Sequence, residues 1–240
     1  MKKPALVAIT APTVEIDGRL LTAEDFIVYT ARVSNPSNQG NLETATKLLN
    51  YLVKAGHWSP FDMVDMTVQI TTSRAIMAQV LRHWSFRFQE FSQRYSAVDA
   101  QIRPEQWPHV EARFKAVGGN RQGSDTESIP MGLTHTAQIA CASAAKAYRH
   151  LLEADIAPEC ARMVMPLATE TTAYMKGSVR SWMTYFWQRL DSHAQKEHRY
   201  LASGIFDIFC DQFPTVGQLV ATHRPTIIEV TPDWLPSPQP

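Results

Sequence analysis

Cysteine is scarce in this 240-residue chain. Cys141, Cys160 and Cys210 are odd in number, widely separated and form no CxxC pair, which excludes a disulfide framework and a thiolate zinc site and fits a reducing compartment. No charge of one sign prevails: 23 Lys and Arg face 23 Asp and Glu, so the global positive field that holds nucleic acid by counterion release is missing and any anion site must be local. Long apolar runs are missing too. The N-terminal MKKPALVAITAP carries only a five-residue apolar run, short of a signal h-region, and no run reaches the ~18 residues of a membrane span. These absences predict a cytoplasmic protein with neither a membrane nor a nucleic-acid partner, and no metal.

What is present is ordinary globular composition, 45% hydrophobic and 19% charged, enough for one domain with a real core. One domain is expected over 1–225, followed by a proline-rich tail, 226–240. PALVAIT reads as a strand, AEDFIVYTARVS and ETATKLLNYLVKAGH as helices, the second stopped by Gly56. DMVDMTVQI alternates Val64, Met66, Val68 and Ile70 against Asp65, Thr67 and Gln69, the pattern of a strand with one buried face. Thr72 or Ser73 can cap a helix over 74–83 with Ile76, Met77, Val80 and Leu81 inward and Gln79 and Arg82 on another face. Residues 96–130 are polar and read as a loop or insertion. An alanine-rich helix follows, then a short helix opened by Pro158 and a strand around TTAYMK. The longest helical pattern, SVRSWMTYFWQRLDSHAQKEHRYLA, is capped by Ser178. On it Arg189, His193 and Glu197 stand at i, i+4 and i+8 on the margin of an apolar stripe. Helical blocks separated by hairpin-like strands predict an α+β fold, a mostly antiparallel sheet packed with long helices.

The segment RHWSFRFQEFSQRY, residues 82–95, interleaves Arg82, Arg87 and Arg94 with Trp84, Phe86, Phe88, Phe91 and Tyr95. Arginine forks bind phosphate bidentately, and aromatic rings stack on planar guests. With Arg162 and Arg189 the pattern suits a nucleotide or a flavin. It suits equally an amphipathic segment whose aromatics are core and whose arginines are surface, and the residues alone leave both readings open.

The same segment resembles the signature of the flavin-dependent thymidylate synthases, RHR, seven residues, Ser and usually Arg-Tyr. Here it stands as RHWSFRFQEFSQRYS. Also similar to that family are ARVS (31–34), GHWSPFD (56–62), ARMVMPL (161–167) and VRSWMTYFWQRLDSHAQKE (179–197), in the family's order. The resemblance implies reductive methylation of dUMP to dTMP, with methylenetetrahydrofolate as carbon donor, NADPH as reductant and FAD as electron carrier. It also implies a homotetramer with FAD at the subunit interfaces. Carried over by position, dUMP would be bound by Gln79, Arg82, Glu90, Phe91, Ser92, Gln93, Arg94, Arg162 and Arg189. Arg189 would be catalytic, stabilising the N3-deprotonated uracil. FAD would be bound by Ser34, His57, Ser59, Asp62, Arg82, His83, Trp84, Gln89, Glu90, Ser178, Arg180 and Thr184. Without the resemblance, His83 reads as a helix-capping and His57 as a loop histidine.

The departures fall on the flavin side. Trp84 replaces the third residue of RHR, Gln89 stands where asparagine is usual, and Ser178 and Thr184 occupy positions where asparagine is frequent. Two alternatives therefore stand beside the first reading: a divergent flavin enzyme placing another one-carbon group on a pyrimidine nucleotide, and a nucleotide-binding protein that has lost flavin and catalysis.

Overall fold

A computed structural model describes residues 2–96, 113–115, 123–128 and 131–223. The expected proline-rich tail, 226–240, and most of the polar run within 96–130 lie outside these residues. The fold is α+β. Its strands are β1 Ala5–Ile9, β2 Glu15–Ile16, β3 Arg19–Leu20, β4 Asp65–Ser73, β5 Arg87–Glu90, β6 Arg113–Lys115, β7 Ser124–Ser128 and β8 Glu170–Ser178. Its helices are α1 Ala23–Ala31, α2 Ala45–Ala55, α3 Arg74–Val80, α4 Met131–Glu153, α5 Pro158–Ala161, α6 Val179–Arg189, α7 Lys196–Gln212 and α8 Pro214–Thr222. One sheet has the order β1-β4-β8-β5. The described residues group into two compact units, the first built on Gln69–Trp84 and Phe88–Tyr174, the second on Pro4–Val68, Ser85–Arg87 and the chain from Met175 onward.

In the first unit, β4 and β8 pair antiparallel. Arg74 N donates to Thr169 O (2.9 Å) and Ala75 N to Leu167 O (3.0 Å), and the Thr71 and Thr172 hydroxyls meet at 3.0 Å. Ser73 ends β4 and caps α3, its Oγ accepting from Ile76 N at 3.3 Å, which satisfies one of the orphan donors at a helix start. Ile76, Met77 and Val80 are buried as the spacing predicts, but Leu81 is 40% exposed: it keeps helical dihedrals and donates its N–H to Met77 O at 2.9 Å, and as the C-cap it stands at the open end of α3. Cys141, Ala145 and Tyr148 of α4 pack with Ala161 of α5, and Phe91, Leu151, Leu152, Met165 and Ala168 close around them. β6 and β7 form an antiparallel ribbon, Arg113 opposite Ser128 and Lys115 opposite Ser124. These residues were expected to be loop. Apart from Phe114 their sequence is polar, so the alternation that betrays a half-buried strand is missing.

In the second unit the same strand-to-helix junction recurs. Ser178 ends β8 and caps α6, its Oγ accepting from Ser181 N at 3.3 Å, and Val179 N donates to Val64 O. Val64, Met66 and Val68 are fully buried, and the Trp182 indole donates to Met66 O at 3.1 Å. Phe86 packs edge-on to Trp182 with centroids 4.6 Å apart, while Phe186 meets Phe206 and Phe209, each at 5.0 Å. β2 and β3 form a hairpin that the Asp17–Gly18 pair announces: both residues have positive φ, 50° and 76°, as a two-residue hairpin turn with the twist of its strands requires.

The long helix expected from Ser178 onward is two helices. α6 ends at Arg189 and α7 begins at Lys196. Between them the Asp191 carboxylate accepts from His193 N at 2.9 Å, a local turn that competes with helical hydrogen bonding, and Arg199 donates to the carbonyls of Ser192 and Ala194, each at 2.7 Å. Arg189, His193 and Glu197 therefore do not share one helical row.

A Cβ on Gly177 would stand 2.6 Å from two carbons of the Phe86 ring, which Trp182 and Tyr185 hold from other sides. Gly177→Ala is expected to destabilise the protein by about 1–3 kcal/mol through overpacking, read as a lowered urea midpoint with an unchanged slope.

Candidate active site

The first unit gathers part of the RHW segment around one cavity. β5 delivers Glu90, and the turn after it delivers Phe91, Ser92, Gln93 and Arg94. Phe91 N bonds back to Thr172 O at 2.9 Å, so this turn leaves the sheet at a fixed place. A cavity of about 290 Å³ is lined, among the described residues, by Arg74, Gln93 and Arg162, with Met163, Met165, Pro166 and Leu167 as its apolar part. Gln93 is only 6% exposed, and its Nε2 has no hydrogen-bond partner among the described residues. A buried amide donor without an acceptor costs about 1–3 kcal/mol, which marks it as a group waiting for a ligand acceptor.

Glu90 is held from two sides. Arg74 Nη1 donates to its Oε1 at 2.5 Å and Thr171 Oγ1 to the same oxygen at 2.9 Å. Arg162, just after α5, gives its Nε to Glu159 O at 3.3 Å, leaving the rest of its fork for the cavity. Arg94 instead pairs with Glu159 Oε2 at 2.9 Å on the surface. The Phe91 side chain packs into the α4–α5 core, and Ser92 is exposed. Gln79 is half-buried in the last turn of α3, Arg82 is exposed and His83 half-buried, while Trp84 is 89% exposed. Gln89, beside Glu90, is exposed. Gln93 and Arg162 thus meet in one cavity with Glu90's partner Arg74, and the other positions of this unit do not line it.

A second polar cluster lies in the second unit at the start of α6. Asp62, at the end of the 3-10 turn Ser59–Asp62, accepts from Ser178 Oγ on Oδ1 (2.8 Å) and from Arg180 Nη1 on Oδ2 (3.0 Å). One turn on, Thr184 Oγ1 donates to Arg180 O at 3.1 Å. Ser59 is exposed, Ser34 is exposed just past α1, and His57 is exposed with its ring edge-on to Tyr51 at 5.8 Å. Arg189 closes α6 and is half-buried. Tyr185, one turn earlier, is fully buried and bonded to the buried His198 at 3.2 Å. Burial pushes the Tyr185 phenol well above its ordinary range, with the Arg189 charge pulling the other way, so the phenol stays neutral beside this guanidinium.

The profile described as "Thymidylate synthase complementing protein" matches residues 19–215. The flavin-dependent thymidylate synthase of Synechocystis sp. is 47% identical over 214 residues, covering 88% of this chain and 95% of the relative. This chain belongs to that family. A probable flavin-dependent thymidylate synthase of Paramecium bursaria Chlorella virus 1 is 42% identical, over 89% of this chain and 96% of the relative. Among solved structures, the UMP/dUMP methylase PolB from Streptomyces cacaoi, bound with 5-Br dUMP, shares the fold at a TM-score of 0.73 and 22% identity, covering 91% of this chain and 94% of that one.

Against what the flavin-dependent thymidylate synthases require, the donor set at the start of α6 fits a flavin nucleotide. Hydroxyls of Ser59, Ser178 and Thr184 suit a polyol chain, and an arginine fork at a helix N-terminus suits a pyrophosphate. Sequence reasoning missed Arg74 and Thr171. Arg74 carried a legible signal: a cation in the first turn of a helix opposes the macrodipole, so something beyond the helix must hold it there. Thr171 carried none, because one threonine in a strand looks like any other.

Gln93→Met removes the unpaired donor at similar volume. The ligand-free variant is expected to be about 1 kcal/mol more stable than wild type, measured by urea unfolding, and to bind dUMP at least tenfold more weakly.

Proposed function

We infer that this chain catalyses the reductive methylation of dUMP to dTMP as a flavin-dependent thymidylate synthase, with methylenetetrahydrofolate as carbon donor, NADPH as reductant and FAD as its cofactor. The observation that carries this for the chain's own residues is the cavity in which the unpaired Gln93 amide, Arg162 and Arg74 converge in a member of that family. When bound, the flavin supplies the hydride that the pyrimidine ring accepts at C6. The residues of the chain bind, orient and polarise.

Gln93 and Arg162 offer donors and positive charge to the anionic nucleotide, with Gln79, Arg82, Glu90, Phe91, Ser92 and Arg94 as further binding positions carried by family. Glu90 already accepts from Arg74 and Thr171, so it acts as a charged anchor. Arg189 is the catalytic cation. A guanidinium that keeps its charge above pH 12 favours negative charge on the pyrimidine and readies C6 for hydride. Its partner at the i−4 position, the buried Tyr185, cannot compete by ionising. Ser59, Asp62, Ser178, Arg180 and Thr184 hold the flavin, with Ser34, His57, His83, Trp84 and Gln89 as further family positions.

The assembly we infer is a homotetramer of the cytoplasm. Its support is the apolar surface left open in the first unit: Trp84, Tyr95, Met163 and Leu167 are 89, 94, 80 and 70% exposed, large for isolated surface residues. Among the described residues no helix is long and apolar enough to cross a membrane.

The test is the visible spectrum of the purified protein with FAD, then anaerobic reduction and addition of dUMP and methylenetetrahydrofolate. Reoxidation of bound flavin with accumulation of dTMP is expected, and flavin turnover without dTMP would contradict the reading. In Arg189→Ala, FAD is expected to stay bound while turnover falls by at least a hundredfold; near-normal turnover would remove Arg189 from the central role.

A further inference from the structure

Two polar side chains are sealed together in the core of the second unit. Tyr185 of α6 and His198 of α7 are each 0% exposed, and the phenol oxygen lies 3.2 Å from His198 Nε2. The Tyr185 ring is packed against Phe86, Trp182 and Phe186, with centroids 5.7–5.8 Å away, and against the His198 ring at 5.8 Å. Rings on these several sides fix the direction in which the hydroxyl points. A phenylalanine would fill the same aromatic cluster, so packing accounts for the ring and leaves the hydroxyl to be explained.

Arg189 is four residues on from Tyr185, in the last turn of α6, and half-buried. Residues four apart are neighbours on one helix face, and helical side chains lean toward the N-terminus, so this row brings the guanidinium back toward the phenol. The Arg189 charge is felt at the Tyr185 hydroxyl. A guanidinium only donates hydrogen bonds. A phenol facing it can therefore offer nothing but its lone pairs, and must send its own O–H elsewhere. His198 Nε2 stands where that acceptor is needed, an arrangement that puts the imidazole proton on Nδ1.

We propose that Tyr185 and His198 are positioning residues for Arg189: the phenol donates its hydrogen bond to His198 Nε2 and turns its oxygen lone pairs to the guanidinium. The inference rests on the reading of Arg189 as the catalytic cation. No proton changes owner in this relay. Its effect is that Arg189 meets the pyrimidine already oriented, so less side-chain freedom is lost when the ring becomes anionic.

The test measures kcat, KM for dUMP and the urea midpoint on flavin-loaded, full-length enzyme. Tyr185→Phe keeps the packed ring and removes the hydroxyl; its kcat is expected to fall about tenfold through misplacement of the cation, with KM within threefold of wild type. His198→Leu should lose kcat alike, and His198→Gln, which restores an acceptor near the Nε2 position, should recover most of it. In an Arg189→Ala background, Tyr185→Phe should cost nothing further, because both act through one group. A merely structural pair would lower the urea midpoint and leave kcat of the folded enzyme within twofold of wild type, and that result would overturn the proposal. So would a further tenfold loss on top of Arg189→Ala. Should His198→Leu fail to fold, Tyr185→Phe reads the same split. If Arg189→Ala keeps near-normal turnover, the reading of Arg189 falls; if it loses turnover and Tyr185→Phe does not, the proposal alone falls.

Discussion

Antiparallel pairing of β4 with β8 is the constraint on which the functional geometry depends. Each strand is nine residues long and ends in a serine that caps the next helix, Ser73 for α3 and Ser178 for α6. Because side chains alternate across a strand, a slip of one residue would turn Val64, Met66, Val68 and Ile70 out of the core. The register is therefore fixed by burial, and with it the start of both helices. Arg74 and Arg180 then fall within two residues of a fixed cap, Thr171 falls on β8 itself, and Asp62 lies just before β4. Residues distant in sequence become reproducible partners without any loop having to find them.

The polar groups that follow from this scaffold are unequally satisfied, and the inequality separates anchors from contacts. Glu90 has two donors on one oxygen and Asp62 has one on each. These carboxylates set the positions of their neighbours. The Gln93 amide is buried with no acceptor among the described residues, and the Trp84 ring stands 89% exposed. An unpaired buried donor is unfavourable in the ligand-free chain, which is what a site kept ready for a ligand looks like when stability is given up for function.

Where an element buries one face, the sequence announces it. The alternation in β4, the serine caps and the Gly56 stop, whose φ of 69° needs glycine, all stand where the pattern puts them. The Asp17–Gly18 pair carries an equally legible hairpin signal. The break after Arg189 was harder, because Asp191 and Ser192 are tolerated in helices and only their side-chain bonds decide. The RHW segment proved divided: Phe86 is core at 3% exposure while Trp84 and Tyr95 are surface, so neither of the two readings left open by the residues holds throughout. Arg74 and Thr171 acquire meaning only when the strands pair, and no spacing in the sequence brings residue 74 to residue 90 and residue 171.

The cavity between Gln93 and Arg162 is the place we propose for the anionic end of dUMP. The most direct measurement is a crystal structure of the dUMP complex, read as the distance from the phosphate oxygens to Gln93 Nε2 and to the Arg162 guanidinium. Hydrogen-bond distances to both groups are expected, with the amide donor no longer unpaired. A nucleotide bound with its phosphate elsewhere, and Gln93 Nε2 still without an acceptor, would contradict it.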